Sequence, residues 1–118
     1  MLRLNGIQID PESGAVLRHG EPVPLTRKER LLMRELAANV GRTVSADAML
    51  TNVWGPKYRR EVQYLRVWMS RLRSKLESNP ANPSLIKTVQ GIGYLLDAGA
   101  ELVAARGWPT RPRLTRPR

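Results

Sequence analysis

The sequence predicts an α+β fold: a small N-terminal antiparallel sheet, then three helices, then a closing β-hairpin. Three observations carry this reading. The first 25 residues alternate apolar and polar with period two, the middle of the chain switches to three- and four-residue apolar spacing, and β-branched runs return around a glycine-containing turn after Leu85. A length of 118 residues suits one domain with a modest core. Phe is absent and aromatic residues make up only 5%, so Leu, Val, Ile and Met must fill most of that core.

Leu2 and Leu4, Ile7 and Ile9, Val16 with Ala15 and Leu17, and Val23 with Leu25 mark three or four short strands. Asn5-Gly6 is a two-residue hairpin signal because both residue types tolerate positive φ. Ser13-Gly14 and His19-Gly20-Glu21-Pro22 supply the next turns, and Asp10-Pro11 is a break. Thr26-Arg27-Lys28-Glu29 is a capping box, after which Leu32, Met33, Leu36, Ala37 and Val40 recur at helical spacing and Gly41 stops the first helix. Ser45 caps a second helix, in which Asp47 suits the positive end of the helix dipole. Ala46, Met49, Leu50 and Val53 form its apolar stripe, Trp54 closes it and Gly55-Pro56 ends it.

The third helix is expected from about Arg60 to Leu76. Leu65, Trp68, Met69, Leu72 and Leu76 share one face, while Gln63, Val67, Ser70 and Ser74 lie opposite, flanked by Arg60, Tyr64, Arg66 and Arg71. Asn79-Pro80-Ala81-Asn82-Pro83 forces a loop. Leu85–Val89 and Tyr94–Leu96 read as two strands around Gln90-Gly91-Ile92-Gly93. Residues 1–98 are thus expected to form the domain. Residues 99–118, with prolines interleaved among arginines, are expected to be a basic, disordered tail.

The formal net charge is +10, and it is clustered. Between Lys57 and Lys75 there are seven basic residues against the single acid Glu61, and after Gly99 five arginines against Glu101. This balance points to a polyanion, either nucleic acid or an anionic membrane surface. No apolar run approaches the ~20 residues needed to span a bilayer, so no membrane partner is expected. The absence of Cys rules out disulfides and thiolate metal sites, and no signal-peptide core is evident, so a cytoplasmic protein is expected. His19 is the lone histidine and the acids are scattered singly, so no enzyme, metal or cofactor is expected.

A sheet, three helices and a hairpin make a winged helix-turn-helix, in which the second and third helices form the helix-turn-helix and the hairpin is the wing. The third helix needs one apolar face to dock and one polar, positive face to enter a major groove. Base-reading candidates are Gln63, Tyr64, Arg66, Val67, Ser70 and Arg71. Phosphate candidates are Arg59, Arg60, Arg73, Lys75 and Thr88. Each arginine alone fits a solvated helix face; the set together with Val67 and Tyr64 fits a contact surface. Two other readings are a winged-helix module for protein interaction and a non-specific polyanion binder.

Four motifs in order carry a resemblance: Leu25-Thr26-Arg27-Lys28-Glu29-Arg30-Leu31-Leu32, Val53-Trp54-Gly55, Arg71-Leu72-Arg73-Ser74-Lys75-Leu76, and Thr88-Val89-Gln90-Gly91-Ile92-Gly93-Tyr94. Over about residues 2 to 97 the chain resembles the OmpR/PhoB family, the DNA-binding effector domains of two-component response regulators. Gly55-Pro56, Tyr64–Met69 and Asn79–Pro83 are most similar to the branch that regulates potassium-transport operons. The resemblance implies sequence-specific binding of double-stranded DNA, with the third helix as recognition helix and the hairpin (Gln90, Gly91, Gly93, Tyr94) along the minor groove. Gly55, Pro56, Lys57 and Tyr58 would form the transactivation loop, which touches RNA polymerase in some relatives. The N-terminal sheet would face a phosphorylated receiver domain, for which this chain has no room. The domain is expected to be monomeric alone and dimeric on direct-repeat DNA. Two positions depart from the family pattern: Gln90 stands where many relatives carry a wing arginine, and Leu95 where arginine is also common.

Overall fold

Alternation builds the first layer. In the computed structural model, which describes residues 2–4 and 6–97, β1 (Leu2–Leu4), β2 (Ile7–Ile9), β3 (Val16–Arg18) and β4 (Glu21–Pro22) form an antiparallel sheet in that order. Leu2, Leu4, Ile7, Ile9 and Val16 all turn to the core side and are buried, as a period-two pattern requires. The register Leu4↔Ile7 leaves a two-residue connection containing Gly6 at φ 82°, as the sequence signal demands.

The fourth strand differs from expectation. It lies at Glu21–Pro22 instead of Val23–Leu25, because the preceding turn is only His19-Gly20, with φ of 51° and 83° and Arg18 paired to Glu21. Two successive positive-φ residues give a tight hairpin whose twist matches its strands, so the strand starts sooner.

The helices follow the capping signals. α1 spans Arg27–Ala38; the Thr26 hydroxyl accepts from the Glu29 amide (3.2 Å) and the Glu29 carboxylate accepts from the Thr26 amide (2.8 Å). Such a cap contributes about 1 kcal/mol. α2 spans Ala46–Trp54, with the Ser45 hydroxyl accepting from the Ala48 amide at 3.0 Å. A single 3-10 turn, Pro56–Tyr58, leads to α3 at Val62–Leu76. Leu32, Met33, Leu36, Met49, Leu50, Leu65, Met69 and Leu72 are fully buried where the three helices meet. Each such side chain contributes roughly 1.5–3 kcal/mol by leaving water.

A second sheet of order β5-β7-β6 closes the fold, built from β5 (Thr43–Ser45), β6 (Ile86–Val89) and β7 (Gly93–Leu96). β5 is absent from the sequence expectation, where Arg42-Thr43-Val44 was only a connection into α2. Its pairing is non-local, with Val44 opposite Tyr94. Gly93 is likewise not a turn residue. It opens β7 opposite both Ser45 and Val89, and a Cβ there would overlap the Val44 carbonyl oxygen, so glycine is what lets the three strands close up. The expected basic tail falls on residues outside the described ones.

Candidate nucleic-acid interface

α3 presents its residues in sectors. At 100° per residue, Leu65, Met69, Leu72 and Leu76 form one stripe, and all four are buried. Trp68 lies about 70° from the centre of that stripe; it is half-buried and packs against the edge of the core. It also joins an aromatic cluster at the rim. Trp54 packs against it with ring centroids 5.5 Å apart and against Tyr64 at 5.2 Å, while Tyr58 meets Tyr64 at 5.8 Å. Tyr64, expected to stand free on the polar face, therefore has neighbours and is 40% exposed. The Arg71 guanidinium lies over Trp68 at 5.2 Å, on the side of the helix that carries these rings.

The outermost sector consists of Gln63, Val67, Ser70 and Ser74, all exposed, with Val67 at 50%. Arg66 borders it on the wing side. There Val62 and Arg66 line a cleft whose other wall is Thr88, Gln90 and Ile92. Ile92 at the wing's tip is 57% exposed, and its carbonyl accepts from the Ala46 amide at 3.0 Å, which ties the turn to the start of α2. Neither Val62 nor Ile92 was singled out from sequence. Val62 read as the margin of the helix's apolar face, and Ile92 as one residue of the turn between two strands.

The start of α3 also shifts. The expected first residue, Arg60, lies instead beside Arg59 in an exposed turn after the 3-10 segment, and Val62 is the first helical residue. Gly55, at φ 110°, and Pro56 start that segment, and the chain must turn again before it can enter α3. Lys57, Tyr58, Arg59 and Arg60 are consequently all exposed beside the aromatic cluster.

The C-terminal part of α3 turns two of the phosphate candidates towards the domain itself. Arg73 donates through Nε (3.1 Å) and Nη2 (2.9 Å) to the Ile86 carbonyl, and through Nη2 to the Thr88 hydroxyl (2.8 Å). Lys75 donates to Glu29 Oε1 at 2.7 Å and to the Pro24 carbonyl at 3.1 Å. Both cations are half-buried and engaged inside the domain, because they fall on the flanks of the docked stripe. Burial pushes the Glu29 carboxyl up, but Lys75 and the Thr26 bonds together outweigh it and hold it below the usual range. Tyr94, a wing candidate, is buried 5.5 Å from the Arg73 guanidinium, and burial raises its hydroxyl pKa against that charge. Gln90 and Gly91 remain exposed in the wing turn.

Sequence reasoning missed Glu77 altogether. Only 3% exposed, it accepts from the amides of Ser84 (2.9 Å), Leu85 (3.1 Å) and Ile86 (2.7 Å). A lone Glu before a Pro-rich loop carries no local signal of this.

The arrangement is one that recurs in known proteins. Residues 20–96 match the family model described as transcriptional regulatory protein, C terminal. The regulator KdpE of Mycobacterium tuberculosis is 36% identical over 98 residues, covering 83% of this chain and 43% of its own length. The sensory transduction protein RegX3 of Mycolicibacterium smegmatis is 38% identical over 97 residues, covering 82% of this chain and 42% of its own. The chain thus spans less than half the length of these curated relatives. Among solved structures, the Klebsiella pneumoniae RstA DNA-binding domain in complex with the RstA box superposes with a TM-score of 0.71 at 35% identity, covering 82% of this chain and 96% of that one. With a four-stranded sheet, three helices and a wing in the same order, and a family match over most of its described residues, this chain belongs to the family of C-terminal effector domains of OmpR/PhoB-type transcriptional regulators.

Proposed function

We propose that this domain binds double-stranded DNA sequence-specifically and regulates transcription as the effector module of a two-component response regulator. α3 enters the major groove and the β6–β7 wing follows the minor groove. One observation carries the reading: Gln63, Arg66, Val67, Ser70 and Arg71 share the outward side of α3, all are exposed, and the polar side chains among them form no hydrogen bond with another described residue, the Ser74 hydroxyl reaching only the Arg71 carbonyl. Arg66 and Arg71 suit bidentate contacts to guanine, Gln63 suits adenine, and Val67 a thymine methyl. Ser70 offers a hydroxyl to either, and Tyr64 presents its exposed edge from the aromatic cluster.

Lys57, Arg59 and Arg60 reach phosphates on one flank of the helix and Thr88 on the other, where Gln90 and Gly91 approach the minor groove without a charge. In the full regulator the N-terminal sheet faces a receiver domain. The turn Gly55–Tyr58 with its aromatic backing is the surface for RNA polymerase. Residues 99–118 add a basic arm. The setting is the cytoplasm, with the domain monomeric alone and paired on direct repeats.

Selection of bound duplexes from a random pool, followed by comparison with scrambled duplex, tests the reading. Arg66→Ala and Arg71→Ala are each expected to lower affinity for the selected duplex by roughly 1–3 kcal/mol and to relax preference at one base. A selected-to-scrambled affinity ratio near one overturns it.

A further inference from the structure

β6 is an edge strand, bonded to β7 on one side only. The Asp97 amide donates to the Leu85 carbonyl at 2.8 Å, which places residue 85 in a bonded pair with β7 and turns the backbone groups of Ile86 towards the free edge. No strand covers that edge. The side chains of Arg73, in the last turn of α3, and of Glu77, the residue that caps it, do so instead. Glu77 Oε2 accepts from the Ile86 amide at 2.7 Å, and Arg73 donates to the Ile86 carbonyl from Nε and Nη2 at 3.1 and 2.9 Å. An acceptor and a donor offered to one residue's N–H and C=O are what a paired strand would supply. Arg73 then continues along the edge to the Thr88 hydroxyl at 2.8 Å.

We propose that Arg73 and Glu77 are a pair of positioning residues, a side-chain substitute for a neighbouring strand that sets the wing's place and angle relative to the recognition helix. The consequence for DNA rests on the function proposed above; the geometry does not. Helix and wing approach adjacent grooves, so the distance between them must be held, and the β5–β7 pairing fixes only the far side of the sheet. Arg73 thereby acts through the wing and makes no phosphate contact of its own.

Arg73→Lys is the informative variant. It keeps the charge, but one ammonium cannot reproduce the planar fork that spans the Ile86 carbonyl and the Thr88 hydroxyl. In the free domain, amide hydrogen exchange at Lys87 and Leu95 is expected to quicken by about tenfold while α1 amides keep their protection. Glu77→Gln, which keeps shape but loses one strong acceptor, is expected to give the same wing-local pattern. On the selected duplex, Arg73→Lys is expected to lose affinity on the order of tenfold, lose hydroxyl-radical protection in the minor groove, and retain guanine protection in the major groove. Its salt dependence is expected to match wild type. Unchanged wing exchange in both variants overturns the proposal. So does an Arg73→Lys protein of wild-type affinity beside an Arg73→Gln protein whose log–log salt slope is shallower by about 0.9, which is the behaviour of a phosphate contact. A wild-type domain that discriminates among no duplexes defeats the DNA-binding reading, and the exchange measurement still decides whether this pair holds the wing.

Discussion

The two halves of α3 use the same residue types for opposite purposes. In the first three turns Arg66 and Arg71 are exposed, one bordering the wing cleft and the other lying over Trp68. In the last turn and just beyond it, Arg73, Lys75 and Glu77 all bind other parts of the domain: β6, the start of α1, and the loop before β6. The difference lies along the helix: Arg66 and Lys75 both sit about 90° from the docked stripe's centre, but only towards the C-terminal end do α1 and β6 supply partners for the flanking side chains. A basic helix is therefore not uniformly an anion-binding surface, and a charge count overstates how many of its cations face a partner.

The strongest way to break this comparison is at its buried end. Glu77→Ala leaves the Leu85 and Ile86 amides, both in buried residues, without their acceptor. Each unsatisfied amide costs about 1–3 kcal/mol, so a loss of about 3 kcal/mol in unfolding free energy is expected from urea titration. A change below 0.5 kcal/mol, the scale typical of surface sites, would put Glu77 among the solvated residues instead.

That carboxylate also marks where the sequence stops being legible. Thr26 and Glu29 announced the start of α1 because the capping box closes within four residues, and Ser45 and Asn5-Gly6 were readable for the same reason. The period-two alternation of Leu2, Leu4, Ile7 and Ile9 and the stripe of Leu65, Met69, Leu72 and Leu76 gave the core directly. What escaped is held by contacts distant in sequence. β5 exists only because β7 pairs with it, and Lys75 finds Glu29 across 46 residues. Trp68 and Tyr64 share a side of α3, but only the arrival of Trp54 from α2 makes that side an aromatic cluster. The outward face of α3 was legible because it needs no partner within the chain; its flanks were not.

Lys75→Ala sharpens the comparison through pH. Glu29 is held below its ordinary value of about 4.3, so in the wild type its contribution is present above that pH and is lost as pH falls through the lower folded value. Without Lys75, burial is opposed only by the Thr26 bonds, so the folded value of Glu29 rises and the pH-linked part of its contribution shrinks. A loss of roughly 2 kcal/mol near neutrality is expected, moderated because the Lys75 side chain is 35% exposed. Thermal melts from pH 3 to 8 should show the two profiles converging at low pH. Parallel profiles would mean that the ion pair contributes no linkage.

The smallest effect on stability belongs to the exposed turn before α3, and it separates the two kinds of cation most cleanly. Among the described residues, Arg59 and Arg60 have no internal bonds comparable to those of Arg73 and Lys75, and both stand exposed between the 3-10 turn and Val62. Replacing either with Ala should leave unfolding within about 0.5 kcal/mol of wild type. Each replacement should weaken binding to every duplex alike and make the log–log salt slope shallower by about 0.9. Lys75→Ala should do the reverse, changing stability while leaving the slope in place. If Arg59→Ala and Arg60→Ala leave the slope unchanged and Lys75→Ala reduces it, the division of these cations by internal bonding is wrong, and bonding in the free domain is exchanged for phosphate contact when DNA arrives.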